Sequence, residues 1–228
     1  MAKKKRVTRK QLLKEPDEFI TFSGKLIQFG MQHKTRFTYV ASILVALIVV
    51  VGGYRFFSIR SENSAQALLN QAVAKYQAAL NDQDSQKAYQ TVSDDFQLIL
   101  NKYASKNSGK IARVIFANIC FDAGKYAEAI ELYRQALEDF KNHAFMNNLI
   151  CSNLGYANEQ INDIAAAVSY FEKIAENPEP ILRDEALFNL GVLYEKSGDH
   201  QKSADAFQRI ITEHPDSMYI EIVKERSG

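Results

Sequence analysis

The sequence is poor in the residues that interrupt helices and in those that cross-link small folds. Its 228 residues include ten Gly, four Pro and no Trp. So little Gly and Pro favours long helices over many short strands. Two cysteines exclude a disulfide-rich scaffold and a four-cysteine zinc site. With 46% hydrophobic and 24% charged residues, the composition is that of a folded protein.

Motifs that carry catalysis or metal binding are also missing. There is no G-x-S-x-G, no phosphate-binding P-loop and no G-x-G-x-x-G. The four histidines do not follow H-E-x-x-H spacing, which argues against a metal site. They are His33, His143, His200 and His214. We therefore predict a protein that is not an enzyme and needs no cofactor or metal.

An uncharged apolar run near the N-terminus predicts a membrane-spanning helix. Residues 37–54 carry no charge, and at 1.5 Å per residue they reach ~27 Å, close to the thickness of the hydrocarbon core. Tyr39 and Tyr54 stand near the two ends, where aromatic side chains favour the membrane interface. No cleavage-site pattern follows the run. We therefore predict an uncleaved signal anchor over residues 37–57 rather than a signal peptide or a buried core helix.

Charge is distributed unequally on the two sides of this run. Ten Lys and Arg and three acids precede Tyr54, a net charge of +7, and the rest of the chain has a net charge of −6. Because basic flanks stay in the cytoplasm, we predict a basic cytoplasmic tail over residues 1–36 and an external domain over residues 58–228. In the tail, the residues after Pro16 form either an amphipathic helix on the membrane or an ordinary connecting helix. The basic excess is explained by topology, and no nucleic-acid partner is expected.

Three segments of the external domain share one spacing between a small and an aromatic residue. The copies are offset by 38 and 36 residues, and in each the aromatic residue follows 16 positions after the small one. A small residue on one helix lets an aromatic residue of the next helix pack closely against it. The pattern therefore predicts an array of helical hairpins. The pairs are Ala117 and Tyr133, Gly155 and Phe171, and Gly191 and Phe207.

The last copy resembles the tetratricopeptide repeat, whose pattern is W-x2-L-G-x2-Y…A-x3-F…P over 34 residues. Leu187 stands in the Trp place and Ser203 in the Ala place. The other matching residues are Leu190, Gly191, Tyr194, Phe207 and Pro215. The resemblance implies repeats over about 110–147, 148–183 and 184–217, and a degenerate repeat over about 61–108.

The predicted fold class is all-α: an N-terminal transmembrane helix, then a tetratricopeptide-like α-solenoid of three clear repeats, one degenerate repeat and a C-terminal capping helix over 216–226. The degenerate repeat lacks a small residue at the matching position, Leu80. Because no Gly or Pro lies between Arg55 and Leu80, the membrane helix is expected to continue into the first helix of the domain. Cys120 and Cys151 are expected to be buried thiols rather than a disulfide.

Tetratricopeptide arrays have a concave groove lined by the first helix of each repeat. Resemblance to the family implies that the groove is lined by Asn118, Phe121, Tyr156, Glu159, Phe188, Val192 and Glu195, together with Val114 and Ser152. Only Asn118 fits a clamp for a C-terminal carboxylate. The groove is therefore expected to accept an apolar or basic extended chain, unless its aromatic residues pack between repeats instead.

This order of parts resembles the bacterial ancillary SecYEG translocon subunit family. The resemblance implies a single-pass protein of the bacterial inner membrane, with its N-terminus in the cytoplasm and its repeat domain in the periplasm. It also implies SecYEG and periplasmic chaperones as partners, with translocating or unfolded polypeptides as ligands. Two alternatives remain open. One is an envelope or secretion-machine scaffold that binds folded subunits. The other is an organelle protein-import receptor, against which the basic N-terminal side argues.

Overall fold

The computed structural model describes residues 18–82, 84–177 and 181–227, and every regular element in these ranges is an α-helix. This confirms the predicted all-α class. The chain divides into two compact units, Met1–Ile59 and Arg60–Gly228. The helices are α1 (Glu18–Gln32), α2 (Lys34–Asp82), α3 (Ser85–Tyr103), α4 (Asn107–Asp122), α5 (Tyr126–Asp139), α6 (Ala144–Gln160), α7 (Ile164–Ala175), α8 (Arg183–Lys196), α9 (His200–Glu213) and α10 (Ile220–Ser227).

The first unit contains α1 and the apolar part of α2. Within the described residues, α2 is the one helix long and apolar enough to cross a membrane, judged by length and composition. Its large apolar side chains from Phe37 to Tyr54 are exposed, so they form no protein core. At the junction of the two helices, the Phe29 ring contacts His33 and Phe37 edge-on. Residues 1–17 of the predicted tail lie outside the described ranges.

The second unit is a series of helical hairpins. Their first helices are α2 from Arg60 onward, α4, α6 and α8, and their second helices are α3, α5, α7 and α9. The small-to-aromatic spacing has the expected physical cause. A Cβ added at Gly155 would lie 2.6 Å from the Phe171 ring, and one at Gly191 would lie closer still to the Phe207 ring. The rings of Phe171 and Phe207 on the second helices therefore occupy the space that a side chain would fill at Gly155 and Gly191 on the first helices.

The turns inside the three clear hairpins share one backbone conformation. Gly124, Asn162 and Gly198 have φ values of 74°, 61° and 82°, in the left-handed region. This conformation ends each first helix, and glycine adopts it without the steric cost that a side chain adds. Asn162 tolerates the same conformation at a position where the sequence pattern alone suggests glycine. The three hairpins thus turn in the same way.

The degenerate repeat uses a different pairing from the other three. Leu80, the position equivalent to the small residue of the clear repeats, is exposed. Instead Ala72, 24 residues before Phe96, is buried with Phe96 in one hydrophobic cluster. The spacing exceeds that of the clear repeats by eight residues, about one extra turn on each helix. With helices as long as those of the clear repeats, the small residue would instead fall at Leu80.

The C-terminal helix begins later than the sequence indicated. Residues from Asp216 were expected to be helical, but α10 starts at Ile220, after a turn. Val223 is fully buried, and Tyr219 and Ile220 pack partly against the same cluster. The α10 helix therefore covers the apolar end of the last hairpin. As expected, Cys120 and Cys151 are buried, free thiols.

Candidate functional site

The first helices of successive hairpins run in the same direction. In the middle of α6, Ser152 donates a hydrogen bond to Glu185 in the first turn of α8, with 2.9 Å between the oxygens. Near their ends, Glu159 of α6 pairs with Lys196 of α8 at 3.5 Å. Because the earlier residue of α6 contacts the earlier residue of α8, and the later residue contacts the later one, the two helices are parallel. Since consecutive first helices are parallel, they present one face on which the predicted groove residues are placed.

The α4 part of this face is polar and accessible. Asn118 is exposed, and its Oδ1 accepts hydrogen bonds from the Tyr133 hydroxyl at 2.5 Å and from Asn153 Nδ2 at 3.3 Å. Phe121 is half-buried, with its ring edge-on to Tyr126 at 5.4 Å. Burial raises the pKa of the Asp122 carboxyl, one turn after Asn118. This segment offers an amide, an aromatic edge and a partly desolvated carboxylate.

The α6 part is tied to α8 by a shared carboxylate. The Tyr156 hydroxyl donates to Glu185 Oε1 at 2.8 Å and accepts from Asn189 Nδ2 at 2.9 Å. The Tyr156 ring packs edge-on against Phe171, with 5.3 Å between the ring centroids. Burial, followed by the hydrogen bond to Glu185, raises the pKa of Tyr156. Tyr156 therefore acts as a neutral donor that holds two repeats together.

The α8 part is partly covered by the C-terminal segment. The Phe188 ring stacks on Tyr219, with centroids 4.5 Å apart and planes 15° apart. Glu195 pairs with Arg226 of α10 at 2.8 Å. Val192, between them on the helix, is half-buried. The contacts follow the same order as those between α6 and α8, so α10 occupies the place of a further first helix.

The seven predicted groove residues thus divide by exposure. Asn118 and Glu195 are exposed, and the other five are half-buried. Those that also contact the next first helix or the C-terminal segment are Asn118, Tyr156, Glu159, Phe188 and Glu195. The two other residues expected to line the groove, Val114 and Ser152, are buried. The role of these residues in binding stays a prediction.

Two residues on this face were missed by sequence reasoning. Glu185 and Asn189 connect the repeats but belong to no repeat-consensus position. Their only signal is distance: each lies about one repeat length after its partner in the chain. Within the described part of the chain, no group of three or more His, Cys, Asp or Glu is placed to hold a metal ion.

Comparison with known proteins agrees with this geometry. Residues 116–180 and 185–217 each match a tetratricopeptide repeat family model. The chain is 30% identical to human Intraflagellar transport protein 88 homolog over 125 residues, 54% of this chain and 15% of that protein. It therefore spans only about 15% of that relative's length.

Two solved structures are similar. A tetratricopeptide repeat protein from Parabacteroides merdae has 18% identity and a TM-score of 0.55, over 69% of this chain and 58% of its own. BtubC from P. vanneervenii has 18% identity and a TM-score of 0.47, over 83% and 90%. Tetratricopeptide repeats are typically non-catalytic scaffolds for protein–protein interaction. The family matches and the hairpin geometry together show that residues 116–180 and 185–217 carry tetratricopeptide repeats, in a chain whose described regular elements are all α-helices.

Proposed function

We propose that the chain is a membrane-anchored, non-enzymatic scaffold that binds polypeptides along the face of α4, α6 and α8. The observation that carries the proposal is the single helix α2. Its apolar, exposed part is long enough to span a bilayer, and the same helix continues to Asp82 as the first helix of the array. In the sequence, only residues 55–59 separate the apolar run from the unit that contains the repeats.

The chemistry of the face supports an apolar or basic extended chain as the ligand. Phe121 supplies a partly accessible aromatic surface, and Asp122 and Glu195 supply accessible carboxylates. Aromatic anchors surrounded by polar groups are a common basis of peptide binding. The net charge of −6 after Tyr54 favours basic over acidic ligands.

The proposed location is the outer surface of the bacterial inner membrane, with the Sec translocon and periplasmic chaperones as neighbours. The support is the charge difference across the apolar segment, +7 before Tyr54 and −6 after it. By the positive-inside rule this places the N-terminal side in the cytoplasm and the repeats in the periplasm. Polypeptides leaving the translocon would then be the ligands closest to the array.

Crosslinking tests the binding face. A photoreactive amino acid is placed at Asn118, which is exposed on α4, and at Leu98, which is exposed on the second helix α3. In spheroplasts that export a model secretory protein, we expect crosslinks to unfolded chains from position 118 and few from 98. Equal yields from both positions would contradict a specific face.

Protease added to intact spheroplasts should digest residues 58–228, and their resistance would contradict the periplasmic location.

One observation favours a second candidate, a scaffold for folded envelope subunits. Tyr156 and Phe188 are engaged between repeats, so much of the aromatic surface of the face already has partners within the chain. Folded partners would then contact mainly the polar groups that remain exposed. Crosslinks from Asn118 to one folded protein, in place of many unfolded chains, would support this candidate.

A further inference from the structure

An open notch lies in the first unit of the chain, where α1 meets α2, and has a volume of about 710 Å³. The two helices are separated by a single turn residue, His33. Phe29 and Gly30 line the notch from α1, and Lys34, Phe37, Thr38 and Ala41 line it from α2. Both walls belong to the same compact unit, so the geometry of the notch does not depend on where the repeats lie.

Aromatic rings join the two walls of the notch. The Phe29 ring lies edge-on to His33, with 4.7 Å between the centroids, and edge-on to Phe37, with 6.0 Å between them. Residues eight positions apart on a straight helix are separated by ~12 Å along its axis. The Phe29 and Phe37 side chains therefore reach towards each other across the turn. Because edge-on ring pairs are favourable, these contacts stabilise the arrangement of the two walls.

The lining of the notch is apolar apart from one cationic side chain. Thr38 is polar, but its hydroxyl donates to the backbone carbonyl oxygens of Lys34 and Thr35, at 2.8 and 2.9 Å, and is satisfied within the helix. Lys34 is exposed and carries the one positive charge among the six lining residues. Ligand sites in proteins are typically apolar with a few polar groups that fix orientation. The lining therefore fits a ligand with an apolar part and an anionic group.

The position of the notch in the sequence matches the border of a membrane. Phe37 is the first residue of the uncharged run 37–54, and Ala41 is about one turn into it. Lys34 stands three residues before Phe37, ~4.5 Å along the helix axis. If the run spans a bilayer, the apolar lining faces hydrocarbon and Lys34 reaches the headgroup phosphates, since long basic side chains extend to the interface. The apolar and charged groups of the notch thus follow the order found in a phospholipid.

The α1 helix has an apolar side that the protein leaves exposed. Four of its large apolar side chains have more than half of their surface exposed. They are Phe22, Ile27, Phe29 and Met31. On the other side of the helix, Lys25, Gln28 and Gln32 follow one another at spacings of three and four residues and form a polar stripe. Such a pattern is typical of helices at the membrane interface, where lipid would cover the apolar side and water the stripe.

We propose that the notch binds one phospholipid on the N-terminal side of the membrane anchor. The Lys34 ammonium pairs with the lipid phosphate, and an acyl chain lies against Phe29, Phe37 and Ala41. The inference rests on the proposed anchor and adds a lipid site at its border. A second copy of the chain fits the notch less well, because a two-fold contact through it brings two Lys34 side chains together.

Removal of one base at a time tests the role of Lys34. Arg36 is two positions further, ~200° around the helix, and does not line the notch. The full chain is reconstituted in vesicles of phosphatidylcholine and phosphatidylglycerol and extracted in mild detergent, and native mass spectrometry measures the fraction that retains one phospholipid. We expect Lys34→Gln to lower this fraction at least threefold and Arg36→Gln, which removes the same charge, to leave it unchanged. Equal losses would show non-specific attraction by the basic flank and would contradict the site.

Filling the notch gives an independent test. A Cβ added at Gly30 would meet nothing within 4 Å, so the structure leaves room for a side chain there. Gly30→Leu places that side chain where the acyl chain lies and should lower phospholipid retention at least threefold. Gly24 is equally open and lies on the same helix outside the notch, so Gly24→Leu is the control and should retain lipid like the parent. Unchanged retention in Gly30→Leu would contradict the site.

Alkaline carbonate extraction of the vesicles separates failure of this inference from failure of the anchor. A chain that stays in the membrane pellet but retains no phospholipid would overturn the notch site and leave the anchor intact. A chain released into the supernatant would overturn the anchor and, with it, the lipid site. A dimer in the native spectrum that Gly30→Leu dissociates would assign the notch to a second copy of the chain and would also contradict the inference.

Discussion

At the scale of single residues, the array depends on places where a side chain is missing. Gly155 and Gly191 lie in the middle of helices, where glycine normally costs about 1 kcal/mol relative to alanine. The aromatic rings of Phe171 and Phe207 occupy the space that a Cβ atom would take at Gly155 and Gly191. Close packing of the two helices therefore outweighs helix propensity at both positions.

We expect Gly191→Ala to destabilise the protein by about 1–3 kcal/mol, because the added methyl group forces Phe207 out of its site. Helix propensity alone would predict the opposite sign, a gain of about 1 kcal/mol. Urea unfolding in detergent, followed by circular dichroism, measures the difference. Phe207→Leu is the control. The loss of unfolding free energy in the Gly191→Ala/Phe207→Leu double variant should be smaller than the sum of the losses in the two single variants. A stabilised Gly191→Ala variant would contradict the close contact.

The turns provide a second prediction at this scale. Asp163 and Asp199 cap α7 and α9 through side-chain oxygens that accept from the N–H groups of Ala166 and Lys202. The equivalent residue before α5 is Lys125, which makes no side-chain cap. We therefore expect Lys125→Asn to stabilise the protein by about 1 kcal/mol. Lys125→Ala, which cannot cap, is the comparison, and equal melting temperatures for the two variants would contradict the prediction.

Residues whose role repeats along the chain could be predicted, and residues with a single role could not. The glycine-to-aromatic contacts follow from a spacing that occurs three times. Ala72 and Glu185 were not predicted. Ala72 sits in a hairpin of different length, and Glu185 acts through partners that lie in another repeat. Neither effect leaves a local pattern in the sequence.

At the scale of elements, one helix is capped by another. The α4 helix begins after Lys106, which makes no side-chain cap, and Glu62 on α2 accepts the N–H groups of its first turn instead. Glu62 belongs to the second unit, beyond the apolar run. Burial would raise the pKa of Glu62, but hydrogen bonds from Ser108 and Asn107 together outweigh it and hold that pKa below its usual 4.5.

We expect Glu62→Gln to lower the free energy of unfolding by about 1 kcal/mol at pH 7. The pKa of Glu62 is lower in the folded state, so its contribution is complete above pH 4.5 and is lost as the pH falls through the folded value. The gap between variant and parent should therefore narrow from pH 5 to pH 3. Thermal unfolding at both pH values measures it, with the exposed Glu138→Gln as the control. A gap independent of pH would contradict the charged cap.

The elements were largely predictable because hydrophobic periodicity and scarce Gly and Pro indicate helices directly. The start of α10 was misplaced, since Asp216 and Ser217 belong to a turn that Ser217 stabilises by donating to Asp184. That bond joins residues 33 positions apart, and no local propensity reveals it. The face of α4, α6 and α8 was predicted by resemblance, but its division into exposed and engaged residues required the structure.

At the scale of the whole molecule, each hairpin of the repeat domain contacts mainly its neighbours in sequence. In such arrays stability is nearly a sum of local terms, so damage at one end stays local. Val223 of α10 is fully buried, whereas the adjacent Ile222 is 46% exposed. These two residues offer a matched pair of aliphatic side chains with opposite surroundings.

We expect Val223→Ser to increase amide hydrogen exchange in α8, α9 and α10 by at least tenfold, because the variant loosens the end of the array. Exchange in α4 and α5 should stay unchanged. Ile222→Ser should change neither region. Mass spectrometry of exchanged peptides distinguishes these regions, and a uniform increase along the domain after Val223→Ser would contradict nearest-neighbour behaviour.

The position of α10 also bears on how such a chain can grow. Tyr219 and Arg226 contact α8 in the same order along the chain as Glu185 and Lys196 contact α6. The last hairpin therefore already presents the surface on which a further hairpin would dock. Duplicating residues 184–217 in tandem would give the new copy a compatible neighbour on each side. The gene can thus lengthen its product by one unit in a single recombination event, with the same closing helix at the end.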